Sequence, residues 1–121
     1  MVFYCLWFVS IGFFQHLIVH LEQIRLIVGR TAEPEFIQIL TYIALTHDPR
    51  VLQVDTVKAY HAGSTFFVEV DIVLPPGMEL QEAHDIGESL QVKLELLPEV
   101  ERAFVHLDYE TSHVPEHRKT K

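Results

Sequence analysis

The segment from Ala103 to Glu110 constrains the fold more strongly than any other, because its side chains alternate in polarity. In an extended chain they point in two directions: Ala103, Val105, Leu107 and Tyr109 to one side, and Phe104, His106 and Asp108 to the other. A period of two predicts a β-strand with one buried face. The opposite face then holds an imidazole and a carboxylate side by side. Such a pair is either two metal ligands or an ordinary polar surface pair, and the spacing alone favours the ordinary pair.

Composition limits the classes of function open to the chain. Its 121 residues fit one small domain with an additional segment, and its formal net charge is -8 with eight histidines counted neutral. Basic residues cluster only at Arg118, Lys119 and Lys121, so we expect no nucleic-acid partner. Acidity with many histidines suits a cation-handling protein and also suits many ordinary domains. The single cysteine, Cys5, excludes an internal disulfide and a multi-cysteine zinc site, and it indicates a reducing compartment.

Residues 1–28 are interpreted as an apolar, membrane-proximal helix. The uninterrupted apolar run from Val2 to Phe14 is shorter than the roughly 20 residues that cross a bilayer. It also lacks the basic start and the cleavage site of a secretory signal. Three interpretations stay open, namely the end of a membrane helix, an interfacial anchor and a buried helix, and the first is favoured. The helical pattern ends at Gly29, a residue type that commonly terminates helices.

The rest of the chain alternates between helical and extended patterns. The predicted elements are, in order, a helix from Pro34 that ends before Pro49, a strand over Val51–Tyr60, a turn at 61–64, a strand over Thr65–Leu74, a helix over Glu79–Leu97 and a strand over 101–109. This order predicts an α+β fold, a ferredoxin-like two-layer sandwich (α-β-β-α-β) behind the apolar helix. The domain covers residues 29–110, and residues 111–121 are expected to form a mobile tail.

Both helices of the sandwich are expected to cover the same sheet face, which leaves the opposite face uncovered. That face carries four ligand-type residues: Asp55, Asp71, His106 and Asp108. Carboxylates held close together repel one another unless a cation lies between them. We interpret the face as a divalent metal site, with a solvated sheet face or an acidic dimer rim as the alternative. No Ser-His-Asp or Cys-His arrangement is apparent in the sequence, so an enzyme is not expected.

Five segments carry a family resemblance: VGRTA at 28–32, DTVKAY at 55–60, FVEVDIVL at 67–74, AHDIGESL at 83–90 and ERAFVHLDY at 101–109. They resemble the cytosolic C-terminal domain of cation diffusion facilitators, and most of all the manganese-type metal tolerance proteins of plants and fungi. The resemblance covers about residues 20–117. It implies homodimerisation through this domain, metal sensing coupled to a transmembrane antiporter, and association with full-length family members. It also implies an endomembrane location, such as the vacuole or Golgi, with the domain facing the cytosol.

The resemblance also implies a set of metal ligands. Zinc-handling members of the family place ligands at the positions that this chain fills with Asp55, Asp71, His84, His106 and Asp108. Two of these, Asp55 and Asp71, stand where the zinc members have histidines. Oxygen ligands suit Mn²⁺ better than they suit a zinc-selective site. The expected cofactor is therefore a divalent metal ion, Mn²⁺ first, with Zn²⁺ as the alternative.

The family has six transmembrane helices that hold the transport site, whereas this chain carries at most part of the last one. It therefore resembles a truncated gene model, a splice product or a fragment, and it is not expected to transport ions alone. Three hypotheses follow. The chain is a regulatory and dimerising domain of a cation efflux transporter, a freestanding metal-binding module, or a structural dimerisation domain whose acidic face binds nothing.

Overall fold

The computed structural model describes residues 1–27 and 29–111. It contains helices α1 (Val2–Ile27), α2 (Pro34–Leu45) and α3 (Leu80–Glu95), and strands β1 (Gln53–Ala62), β2 (Thr65–Val73) and β3 (Val100–Asp108). The order confirms the predicted α-β-β-α-β sandwich with an apolar helix in front of it. The predicted tail, from residue 112 onward, lies outside the described residues.

The three strands form one sheet in the order β1-β2-β3. Strands β1 and β2 are antiparallel and form a hairpin closed by the pair Ala62 and Thr65. Gly63, at φ 71°, supplies the positive φ that a two-residue hairpin turn needs at its first central position. The turn is thus shorter than predicted, because β1 continues through His61. Strands β2 and β3 are parallel, and α3 makes the crossover that a parallel pair requires.

Helices α2 and α3 pack against the same face of the sheet, as the sequence predicted. Leu40 of α2 and Leu90 of α3 are fully buried against alternate residues of β2 and β3: Val68, Val70, Ile72 and Ala103. Gly87 allows α3 to approach β3 closely, since a Cβ at this position would lie 3.1 Å from Cδ2 of Leu107. Among the described residues, no polar or charged side chain is buried. The main buried apolar cluster therefore lies between the two helices and one sheet face, and the described helices leave the other sheet face uncovered.

Helix α1 is longer than the apolar run alone predicts. It continues without a break through Gln15 and His16, because polar side chains in a helix leave its backbone hydrogen bonds intact. Within the described part of the chain, Val2–Ile24 is the one stretch of helix long and apolar enough to cross a membrane, judged by length and composition. No side chain described in this stretch is buried within the protein.

A short connector, Arg30–Ala32, joins the region of α1 to the sandwich by pairing with the outer edge of β1. The amide of Ala32 donates to the carbonyl oxygen of Ala59 at 2.8 Å, and the amide of His61 donates to that of Arg30 at 2.8 Å. Thr31 consequently forms an antiparallel bridge with Tyr60. Strand β3 forms the other edge of the sheet, and no described strand lies beyond it.

Candidate metal centre on the open sheet face

Asp71 and His106 are neighbours on the open face. In the strand register, Asp71 of β2 lies between Thr56 of β1 and His106 of β3. The distance from Nδ1 of His106 to Oδ1 of Asp71 is 3.7 Å, and their side chains are 74% and 36% exposed. Two of the five predicted ligands are therefore adjacent and reachable from solvent. A carboxylate oxygen and an imidazole nitrogen in this arrangement can both bind one divalent cation.

Asp108 lies on the same face, two residues beyond His106. It stands opposite Val73 in the register. Its Oδ1 accepts hydrogen bonds from the amides of Tyr109, at 2.7 Å, and Glu110, at 3.3 Å. One carboxylate oxygen of Asp108 is thus engaged in the bend that follows β3, and the carboxylate adds negative charge beside the Asp71–His106 pair.

Asp55 occupies a β-bulge, which simple alternation along β1 does not predict. The register shifts between Val54, opposite Ile72, and Thr56, opposite Asp71. A bulge inserts one residue without a partner and turns neighbouring side chains. Strict alternation would place Asp55 on the face of Val57, yet Asp55 is exposed at the bulge. The structure therefore sets Thr56, and not Asp55, directly beside Asp71.

His84 belongs to the helix layer, on the other side of the sheet from the Asp71–His106 pair. Its Nδ1 lies 3.3 Å from Oδ1 of Asp85, and both side chains are exposed. One ligand atom each from His84, Asp85 and Glu88 lie within 4.8 Å of one another. Of these three residues, only His84 was predicted from the sequence to be a metal ligand. The available signal for Glu88 was its spacing, since residues four apart share a helix face.

Aromatic side chains occupy the other half of the open face. The rings of Tyr60 and Phe67, and of Phe67 and Phe104, have centroids 6.2 Å apart in edge contacts. The hydroxyl of Tyr60 donates to Oε1 of Glu69 at 2.9 Å, and this hydrogen bond raises the pKa of Tyr60. Phe104 is 46% exposed. This aromatic strip (Tyr60, Phe67 and Phe104) crosses all three strands, and exposed apolar patches of this kind commonly mark contact surfaces.

Comparison with known proteins identifies what this domain is similar to. Residues 32–110 match the family described as "Cation efflux protein, cytoplasmic domain". Metal tolerance protein 5 of Oryza sativa subsp. japonica is 63% identical over 97 residues, which cover 80% of this chain and 23% of that protein. Metal tolerance protein 11 of Arabidopsis thaliana is 60% identical over 100 residues, covering 83% of this chain and 25% of that protein. The chain thus spans about a quarter of the length of these relatives.

Solved structures share the fold at lower identity. CzrB in its Zn form superimposes with a TM-score of 0.58 at 23% identity, covering 69% of this chain and 94% of that chain. A variant of the MamM CTD in its cadmium form gives a TM-score of 0.57 at 22% identity, covering 65% of this chain and all of that chain. At these identities the likeness establishes the two-layer fold.

Proposed function

Because the chain belongs to the cation efflux protein family, with residues 32–110 as its cytoplasmic domain, we propose that it is the regulatory and dimerising cytosolic part of a divalent-cation efflux transporter. Mn²⁺ is the cation that the ligands favour. The observation that carries this proposal is the Asp71–His106 pair, 3.7 Å apart and open to solvent. Asp108 lies on the same face. Carboxylates outnumber the imidazole, and a hard cation prefers such oxygen-rich surroundings.

We place self-association on the same open face. The aromatic strip offers apolar area to a partner, and the carboxylates beside it repel those of a second copy. In a two-fold symmetric contact each patch meets its own copy, so the two Asp71–His106 pairs would approach one another. A cation bound there offsets the repulsion, and metal binding and dimerisation then stabilise each other. His84 lies in the helix layer and does not bind this cation within the same chain. It either has a separate role or contacts another chain.

Helix α1 is proposed to hold the domain at an endomembrane. From Val2 to Leu21 the helix has no acidic residue, so it offers no carboxylate for ion transport within the membrane. We therefore expect no cation transport by this chain on its own. Expression in manganese-sensitive cells that lack a related full-length transporter tests this point, and restored tolerance would contradict it.

The central experiment titrates the full chain in lipid nanodiscs with MnCl₂ while the resonance of free Mn²⁺ is followed by electron paramagnetic resonance. Loss of free signal at a fixed ratio of metal to chain, together with higher thermal stability, supports the proposal. If Mn²⁺, Zn²⁺ and Co²⁺ all leave stability unchanged while the chain still dimerises, the domain is a structural dimerisation module instead. The exposed aromatic strip is the feature that favours this second candidate function.

A further inference from the structure

Helix α1 carries two histidines on one face, in the half that leads toward the sandwich. His16 and His20 are four residues apart, and residues at this spacing are neighbours on a helix surface. Their ring centroids are 6.4 Å apart, and the two ring planes differ by only 29°. Both side chains are exposed. The helix therefore presents two imidazoles side by side over a single turn.

The histidine pair lies where the apolar part of α1 gives way to polar residues. The uninterrupted apolar run ends at Phe14, and the stretch suited by length and composition to cross a membrane ends at Ile24. At about 1.5 Å per residue, His20 lies roughly 6 Å and His16 roughly 12 Å before that end. With α1 in a membrane as proposed above, His20 lies near the lipid headgroups and His16 one turn deeper. Ions then reach the pair from the aqueous phase around the domain.

Two imidazoles one helical turn apart can chelate a transition-metal ion. Histidines at positions i and i+4 of a helix bind one Zn²⁺ together, at zinc–nitrogen distances of about 2.0–2.1 Å. Rotation of the two exposed side chains can bring one nitrogen of each ring to that distance. The positions one turn before and after the pair on this face are Gly12, Phe13, Gln23 and Ile24, none of which supplies a carboxylate. Imidazole suits Zn²⁺, Cu²⁺ and Ni²⁺, whereas Mn²⁺ and Mg²⁺ favour oxygen ligands.

We propose that His16 and His20 form a second metal site on this chain, which binds a divalent ion of the Zn²⁺ class in preference to hard cations. One nitrogen from each imidazole binds the ion, and water fills the remaining coordination positions. This site differs in ligand chemistry from the Asp71–His106 pair, where a carboxylate oxygen stands beside the imidazole. An ion that joins residues i and i+4 also resists opening of the turn between them, so occupancy stiffens this end of α1.

The test follows the imidazole resonances of the full chain, labelled with ¹⁵N-histidine, in phosphatidylcholine nanodiscs during a titration with ZnCl₂. The signals of His16 and His20 should shift together and saturate at one Zn²⁺ for each chain. MgCl₂ at the same concentrations should leave both signals unchanged, because Mg²⁺ prefers oxygen ligands. In His20→Gln, the response of His16 should need about tenfold more Zn²⁺ or higher, because a single imidazole no longer gains from a second ligand held beside it.

A relocated histidine supplies the matched control. The double variant His20→Gln/Ile18→His keeps two imidazoles on α1, but residues 16 and 18 point about 200° apart around the helix, so it should bind Zn²⁺ as weakly as His20→Gln alone. His84→Gln, on α3, should keep the full response of the α1 pair.

Three results would overturn the proposal. They are the absence of any Zn²⁺-induced shift of His16 and His20, an equal Zn²⁺ response in the parent chain and the relocated variant, and saturation at one Zn²⁺ for every two chains. The last result would assign the ion to a contact between two copies of α1. The signals of His16 and His20 do not report on the open sheet face, so this test and the Mn²⁺ titration can fail independently.

Discussion

On the helix-covered face of the sheet, Val68, Val70 and Ile72 are completely buried, whereas on the opposite face the side chain of His106 is 74% exposed and Phe104 is 46% exposed. Both faces belong to the same three strands, so the difference comes from the alternation of side chains and not from the backbone. The helix-covered face is buried by other side chains of the same chain. The other carries aromatic rings and charged side chains that the described helices leave uncovered.

This contrast separates two kinds of constraint. A substitution on the covered face changes the free energy of unfolding, because burial of apolar area is what holds the two layers together. A substitution on the open face should change association and cation binding while leaving the folded chain intact. Four predictions test how sharply the two faces divide these roles.

The largest effect is expected on the covered face, from Leu90→Ala. Leu90 is fully buried, and a buried leucine truncated to alanine leaves a cavity that costs about 2 to 5 kcal/mol. The change should appear as faster hydrogen exchange of the most protected β2 amides, which report the free energy of unfolding. Leu96→Ala is the matched control, since Leu96 is 77% exposed. A similar loss of unfolding free energy in Leu90→Ala and Leu96→Ala would mean that the covered face is not the core.

The next effect is expected on the open face, from Asp71→Asn. A cation that binds only the folded state stabilises it by about 2.7 kcal/mol at a hundredfold excess over its dissociation constant. The asparagine side chain keeps the shape of aspartate but lacks its negative charge. Most of the Mn²⁺-induced rise in melting temperature should therefore disappear. Without metal, stability should stay equal or rise slightly, because one carboxylate less repels its neighbours.

Two variants give this experiment its controls. Glu99→Gln removes an exposed charge away from both clusters and should leave the metal response unchanged. Asp85→Asn alters the cluster of His84, Asp85 and Glu88 on α3. If Asp85→Asn abolishes the Mn²⁺ response and Asp71→Asn does not, the cation binds the helix layer, and the division between the faces proposed here is wrong.

A smaller effect is expected from Phe104→Ala, at the exposed end of the aromatic strip. Truncating an aromatic anchor at an interface typically costs about 2 kcal/mol of association free energy, equivalent to a roughly thirtyfold weaker dimer. Energy transfer between labelled chains in detergent micelles, followed over a range of concentrations, measures this change. Tyr42→Ala removes another exposed aromatic ring, on α2, and should not weaken the dimer. A weaker dimer in Tyr42→Ala than in Phe104→Ala would place the interface on the helix layer.

The smallest effect concerns the pH dependence of His47, which joins the end of α2 to α3. Its Nε2 lies 2.8 Å from Oγ of Ser89. Burial, with a contribution from nearby Lys93, lowers the pKa of His47 below 6.5. The folded state therefore binds this proton less readily than the unfolded chain, so its stabilising contribution is present above pH 6.5 and is lost as the pH falls through the lower, folded pKa.

The variant His47→Gln should flatten the decline of stability between about pH 7 and 5, as measured by thermal melts in matched buffers. Glutamine keeps a polar group near Ser89 but does not titrate in this range. His84→Gln is the comparison variant, since the imidazole of His84 is exposed on the surface of α3. A steeper acid decline in His47→Gln than in the parent chain would contradict the predicted sign.

The sequence predicted most of the fold because the periodicity of its apolar residues is regular. The alternation on β2 and β3 correctly assigned Asp71, His106 and Asp108 to the uncovered face. The bulge at Asp55 was not predictable in this way, because one inserted residue leaves no mark in composition and is fixed by pairing with β2. Whether the ligand atoms of His84, Asp85 and Glu88 come close together depends on their side-chain rotamers on the helix surface. Sequence spacing limits these rotamers but does not determine them. The connector bridge at Thr31 is too short to produce a strand pattern.

That connector has a mechanical consequence. A flexible linker would absorb a movement of the apolar helix, but Arg30–Ala32 is hydrogen-bonded to β1 at Ala59 and His61. A force applied at Gly29 would therefore act first on the hydrogen bond between Arg30 and His61. It would act next on the hydrogen bond between Ala32 and Ala59, and only then on α2. The strand under this load is also the one that carries the bulge at Asp55 and the ring of Tyr60. A displacement of the apolar helix would thus reach the sheet as a shear along its edge strand.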